Sequence, residues 1–415
     1  MTAKIIDPIQ IDKKIPKDFY QLDSPAHIIQ SDAEAIAVAK QLAAQFSQEA
    51  ALRDQERRLP LAEIQAYSQS GLWGITIPSR FGGAEVSYKT LGEVVKIISA
   101  ADSSLGQLAQ NHWAFLEHIR LDASLEQQQF FFTEVLKGKR LGNAFSEKGS
   151  KTVADLTTTL TIHHDHAILN GRKFFATGAL FAHWIPVVAV HEGQAYAAII
   201  PQHSEGLTII NDWSGFGQRT TASGTVILEH VRVDLKHLIP IHQAFERPTA
   251  AGAISQFIQA AVDAGIARGA IEETIAYVKQ YTRPWIDSGL EKATQDPYTL
   301  ANIGELKIKQ RAAEAVLDLA GLAIDQALHT PTEQQVTEAT LITAEAKVLT
   351  TELAILSSNK LFELAGTRST LSELNLDRHW RNARTHTLHD PVRWKFNLIG
   401  NYYLNDVPPP RHAWS

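Results

Sequence analysis

The chain has no cysteine, and its single methionine is Met1. The first absence excludes disulfides, thiolate metal sites and cysteine nucleophiles together. The second removes the flexible gap-filler from the core, so branched and aromatic side chains must fill irregular space. Such scarcity of sulfur has two functional readings. One is resistance to oxidants, because both residue types climb an oxidation ladder near peroxides; the other is economy in a protein made when sulfur is short. Compositional drift is the plain alternative to both.

Long apolar runs are missing too, and none approaches the roughly 18 residues of a membrane span. The formal net charge is only −6, from 39 basic and 45 acidic side chains. That balance gives no reason to expect nucleic acid or an anionic membrane as a partner. The opening Met1-Thr-Ala-Lys-Ile-Ile-Asp-Pro8 lacks the apolar core and small-residue cleavage site of a signal peptide, so a cytoplasmic protein is expected. What is present is a chain of 415 residues, 44% hydrophobic, long enough for two or three domains with a large core.

Periodicity divides it into a helical N-terminal domain (20–140), a central β-domain (141–240) and a helical C-terminal domain (241–415). In the first, Ser31-Asp-Ala-Glu34 reads as a capping box, followed by an apolar face of Ile36, Ala39, Ala43 and Phe46. Gly71-Leu-Trp-Gly-Ile-Thr-Ile-Pro78 is a short apolar connector, and helical spacing resumes from about 90 to 136. In the second, Asn170-Gly171 predicts a tight hairpin. Further strands are predicted at Trp184–Val190, Ala195–Ile200, Leu207–Ile210 and Thr225–Leu228, together making a small sandwich or barrel. In the third, Ile342, Ala346, Leu349, Leu353 and Leu356 form a seam suited to a four-helix bundle.

This α, β, then helical-bundle order, with its local motifs, resembles the acyl-CoA dehydrogenase superfamily over nearly the whole chain. The motifs are Gly71–Gly83 with Ala101-Asp-Ser-Ser-Leu-Gly106, and Gly215-Phe-Gly-Gln-Arg-Thr-Thr-Ala-Ser-Gly-Thr-Val226 with Val231-Arg-Val233. A closer resemblance is to the flavin-dependent monooxygenases of that superfamily, such as dibenzothiophene monooxygenase and the SfnB-type sulfur-acquisition oxidoreductases. Gly142-Asn-Ala-Phe-Ser146, Lys173-Phe-Phe-Ala-Thr-Gly178 and His379–Pro391 carry it. Where the dehydrogenases have a Tyr-Glu-Gly-Thr-like segment with a catalytic glutamate, this chain has Leu388-His-Asp-Pro391. The resemblance implies reduced FMN supplied by a separate NAD(P)H:flavin reductase, oxygen, a flavin C4a-hydroperoxide, a small organosulfur substrate and a homotetramer. No Gly-x-Gly-x-x-Gly fingerprint opens a βα unit, in keeping with flavin reduction elsewhere.

By the same resemblance His389 lies beside the flavin ring, where an imidazole can move a proton at neutral pH. Alone, it reads rather as a helix-end residue next to an Asp-Pro turn. Thr177 is expected to meet flavin N5, Phe175 to pack beside the ring and Asn143 to stabilise the peroxide. His112 is expected near the substrate pocket. Arg283 is expected to reach the flavin phosphate of a neighbouring subunit, with the turn at Ala365, Gly366 and Thr367 also touching phosphate. That turn is poorer in glycine than in the dehydrogenases, which bears on whether a full FAD would bind. His112, His118 and His386 lack the carboxylate or thiolate company of a metal site, so no metal is expected. Pro284–Tyr298 reads either as a mobile lid or as a plain surface loop.

Two rivals stand beside this reading. One is an FAD-dependent acyl-CoA dehydrogenase whose base is Asp390 or Glu363. The other is a non-catalytic flavin-binding protein, for which replacing His389 would change no reaction.

Overall fold

A computed structural model describes residues 15–22, 24–149 and 151–414; the N-terminal octapeptide lies outside them. Six helices come first: α1 (Asp32–Ser47), α2 (Ala50–Glu56), α3 (Leu61–Gln69), α4 (Tyr88–Ala101), α5 (Ser103–Asp122) and α6 (Leu125–Leu136). Ser31 caps α1 through the Glu34 N–H. The reciprocal half of a capping box is absent, because the Glu34 carboxylate accepts from Gln30 N–H and His27 instead. The complete box is at Ser124 and Gln127, opening α6.

Seven strands follow: β1 (Thr159–Ile162), β2 (Ala167–Lys173), β3 (Trp184–His191), β4 (Gln194–Pro201), β5 (Leu207–Ile210), β6 (Thr225–Val233) and β7 (Leu238–Ile239). They form one mixed sheet in the order β5-β6-β2-β1-β3-β4-β7. The sheet curls until β4 and β6, separated by three strands, approach each other over a shared core of Leu169, Val187, Val226 and Val231. The hairpin expected at Asn170-Gly171 is not there. Both residues lie inside β2, where the register to β6 slips at a bulge. Gly171 adopts φ +151°, and an added Cβ would strike Thr158. The Asn170 side chain accepts from His230 N–H across the bulge. Asn-Gly therefore supplies a kink in a strand here, and the turn between β1 and β2 is made by 163–166 instead.

The C-terminal half contains α7 (Ala251–Gln280), α8 (Pro297–His329), α9 (Glu333–Ala365), α10 (Asp377–His386) and α11 (Arg393–Asn405). The three long helices pack on one another, and the two short ones pack against α9. Helix α4 joins them, because Gly265 and Gly269 on α7 leave room for its backbone. A Cβ added at Gly265 would lie 2.5 Å from Ser99 Cβ, and one at Gly269 would lie 2.6 Å from the Ala100 carbonyl. Replacing Gly265 with alanine should accordingly cost about 1–3 kcal/mol through overpacking, read as a lower denaturant midpoint at unchanged slope. On α9, Ala346 and Leu353 of the expected seam are buried, while Ile342, Leu349 and Leu356 are half-buried. The most deeply buried face beside them is polar, with Thr343, Lys347, Thr350 and Ser357 wholly inaccessible. Among the described residues no helix is long and apolar enough to cross a membrane.

Candidate active site

After β2 the chain turns inward. Phe175 holds a left-handed backbone (φ 55°), as do Gln218 and Ala222 nearby; left-handed non-glycine residues persist only where their surroundings enforce them. Phe174 N–H donates to Ser146 O and Ala176 N–H to Gly224 O. These bonds fix Asn143, Phe175 and Thr177 on one wall of a cavity of about 340 Å³. The opposite wall is Thr385, His386, Leu388 and His389. The loop from Trp213 to Gln218 closes one side and is clamped to α10. Gln218 N–H donates to Asn382 (2.7 Å), Arg381 donates to Phe216 O (3.1 Å), and the Phe216 ring stacks on Trp380.

The hydroxyls on the sheet side are ordered. Thr221 donates to Gln218 O (2.9 Å), so it must accept from Ser223 (2.7 Å), which in turn accepts from Thr177 (2.7 Å). Each hydroxyl has one proton, so Thr177 has given its own away and offers only lone pairs to the cavity. Asn143 Oδ1, Gln218 Oε1 and Thr385 Oγ are buried and have no hydrogen-bond partner in the protein. An apolar cavity edged by such unmatched polar groups suits a flat ring with hydrogen-bonding margins.

The helical side holds a buried polar network. His386 meets Asp263 through Nδ1 and Gln107 Oε1 through Nε2, the latter at 2.7 Å. Both partners present an oxygen to the ring. Lys347 donates to Gln259 Oε1 (2.9 Å) and stands 3.8 Å from Asp263 and 3.6 Å from Asp390. The Gln259 amide nitrogen lies 3.1 Å from His389 Nδ1. His386 and Lys347 hold the Asp263 carboxyl below its usual range although burial alone would raise it. His389 is exposed to the cavity space but stands within the reach of these charges. Desolvation first, then the positive charges of His386 and Lys347, keep it below the usual imidazole range. Lys395 is lowered to about 8 by burial, opposed by Asp390.

His389 also lines a second and larger cavity, of about 670 Å³. Its walls include Val153, Trp394, Leu398, Val407 and Trp414. Lys395 donates to the Trp414 carbonyl (2.6 Å), which fastens the C-terminal segment over this space.

The structure brings together Asn143, Phe175, Thr177 and His389. His112 does not join them. It is wholly buried on α5, with Nε2 donating to Trp73 O (2.8 Å) and Nδ1 accepting from Leu141 N–H (3.0 Å). Desolvation lowers it to about 3. Its neutral ring ties the helical domain to the start of the β-domain and has no bonding capacity left for a substrate. Arg283 is exposed beyond the end of α7, and Gly366 and Thr367 are exposed beyond α9, while Ala365 is buried. All sit at one end of the bundle, where Arg368 covers the Tyr281 ring, and none lines the cavity of this chain. Pro284–Tyr298 lines neither cavity, whereas Thr152–Ala154 lines the larger one. Glu363 is exposed and paired with Lys360. Asp390 is held between Lys347 and Lys395 and faces the larger cavity only. Neither carboxylate is placed as the base a dehydrogenase would need.

Sequence reading missed Gln107, Gln259, Asp263, Lys347 and Ser223. A signal for three of them was present: Gln259 and Asp263 are spaced i,i+4 in an alanine-rich helix, and Lys347 sits directly beside the apolar seam of α9. Isolated polar residues on an apolar face must find partners.

Residues 32–139 match the family model for the acyl-CoA dehydrogenase N-terminal domain, and residues 257–394 that for its C-terminal domain. The chain is 34% identical over 391 residues to a probable FMNH2-dependent monooxygenase, SfnC, of Pseudomonas putida, covering 92% of this chain and 97% of SfnC. The chain belongs to the acyl-CoA dehydrogenase superfamily, in its FMNH2-dependent monooxygenase branch. Two solved structures of the branch superpose closely. FMN-bound TdsC from Paenibacillus sp. A11-2, a dibenzothiophene monooxygenase, gives a TM-score of 0.88 at 34% identity, covering 92% of this chain and all of that one. Methanesulfinate monooxygenase MsuC from Pseudomonas fluorescens gives 0.85 at 31%, covering 92% and 99%.

Proposed function

We propose that this superfamily member takes reduced FMN from a separate NAD(P)H:flavin reductase and oxygenates a small organosulfur compound. The observation that carries the proposal is the convergence of Asn143, Thr177 and His389 on one cavity, in a chain whose relatives are FMNH2-dependent monooxygenases. Bound there, reduced FMN would supply two electrons to O2, by way of a C4a-hydroperoxide, so that one oxygen atom goes to sulfur and the other leaves as water. Asn143 and Thr177 would meet the ring edge, Phe175 its face, and His389 the site where oxygen reacts. The larger cavity beyond His389 would receive the sulfur compound, its apolar walls keeping water away from the reaction.

The hydroxyl chain supports the reduced state of the cofactor. Reduced flavin carries an N–H at N5, which a lone-pair acceptor at Thr177 would satisfy; oxidised flavin offers an acceptor instead. Reduced FMN should thus bind more tightly than oxidised FMN. Thr177→Val should lower that preference by up to about tenfold, the worth of one hydrogen bond, in anaerobic titrations of both forms.

The exposed positions of Arg283, Gly366 and Thr367 support a homotetramer in which each subunit completes a neighbour's phosphate site, a guanidinium fork being suited to phosphate. A role in sulfur acquisition, in the cytoplasm, agrees with a chain that holds one methionine and no cysteine. The deciding test mixes FMNH2-loaded protein with ¹⁸O2 and a panel of sulfides, sulfoxides and sulfinates. One labelled atom per product molecule is expected. Absence of label across the panel, with anaerobic bleaching of bound flavin by acyl-CoA, would return the dehydrogenase to first place.

A further inference from the structure

The atoms around His389 determine which of its nitrogens carries the proton. Lys347 presents only donors, so the atom of Gln259 facing it at 2.9 Å must be the amide oxygen. The NH2 group then faces His389 Nδ1 at 3.1 Å. An amide N–H donates, so Nδ1 must accept and cannot itself bear a proton. The remaining proton of the neutral ring is on Nε2, which has no hydrogen-bond partner among the described residues. A second proton on Nδ1 would point at the Gln259 NH2, and Gln259 cannot turn over without setting that NH2 against the Lys347 ammonium.

Charge points the same way. The groups facing the ring are His386 from α10, Lys347 from α9, Asp263 from α7 and Asp390 from the ring's own loop. Two carboxylates there already meet two cations, with Lys395 of α11 behind Asp390. The two histidines have therefore divided their duties. His386 meets an oxygen at each nitrogen, and His389 is left with one donor free for the cavity.

We propose that Lys347 and Gln259 are positioning residues that lock His389 in its neutral, Nε2-protonated form, so that the ring serves the reaction as a hydrogen-bond donor rather than as an imidazolium acid. What that donor serves rests on the monooxygenase reading above; the tautomer itself does not.

The test reads flavin-free protein. Histidine labelled with ¹⁵N is observed by NMR across pH, with His389→Ala identifying the signals of interest. Unprotonated Nδ1 and protonated Nε2 are expected at neutral pH. Gln259→Glu leaves a carboxylate beside Lys347 that can only accept, so it should move the proton to Nδ1. It should also raise the pH midpoint of the ring by roughly 1–3 units, as a carboxylate in contact does. Lys347→Met frees the amide and should give a mixture of tautomers; if that variant fails to fold, Gln259→Glu decides alone. A wild-type ring protonated at Nδ1 at neutral pH, or a tautomer unmoved in Gln259→Glu, overturns the proposal. Neither result touches the monooxygenase reading, which stands or falls on ¹⁸O incorporation.

Discussion

His389→Ala is expected to lower the yield of oxygenated product per flavin oxidised by about 10²- to 10³-fold, the usual loss when one preorganised donor is removed from a reacting centre. The physical reason is local. Among the described residues His389 is the one histidine that lines both cavities, and its Nε2 is the ring atom without a protein partner. The variant keeps Asn143, Phe175 and Thr177 in place, so FMN affinity should change by only a few-fold. Flavin should still reoxidise, and its electrons should emerge as hydrogen peroxide. Single-turnover assays that measure product and peroxide together make the comparison. Unchanged product yield would remove His389 from the chemistry.

The second large effect is on stability. Lys347→Met should destabilise the fold by about 3–5 kcal/mol, the cost of leaving buried charge without its partner. Lys347 is wholly inaccessible on α9 and stands within 4 Å of Asp263 and Asp390. Methionine fills much of the same volume, so the loss is electrostatic rather than a cavity. Denaturant unfolding of wild type, Lys347→Met, Asp390→Asn and the double variant forms a cycle that isolates the coupling. The double variant should recover part of the loss. A cost below about 1 kcal/mol for Lys347→Met would mean that water reaches the network and screens it.

Local signals located elements well where one residue type has one use. Leu207–Ile210 was read to the residue and the strands at 184 and 194 to within one position at each end, while the strand from Thr225 was read to Leu228 and runs on to Val233. Asn170-Gly171 misled because the same pair serves a hairpin turn and a strand bulge, and only pairing with β6 distinguishes them. The site divides along the same line. His389, Thr177 and Asn143 were legible because short motifs carry them. His112 was misplaced because its motif says nothing of the two backbone groups that saturate its ring.

By itself the sequence determined composition, helical and strand periods, and the presence of an imidazole at 389 within Leu388-His-Asp-Pro391. Those follow from covalent chemistry and neighbours a few residues apart. Tertiary structure alone decided the protonation pattern of that imidazole. Gln259, Lys347 and Asp263 are 130, 42 and 126 positions away in the chain, and hydrogen-bond direction exists only once packing sets donor against acceptor.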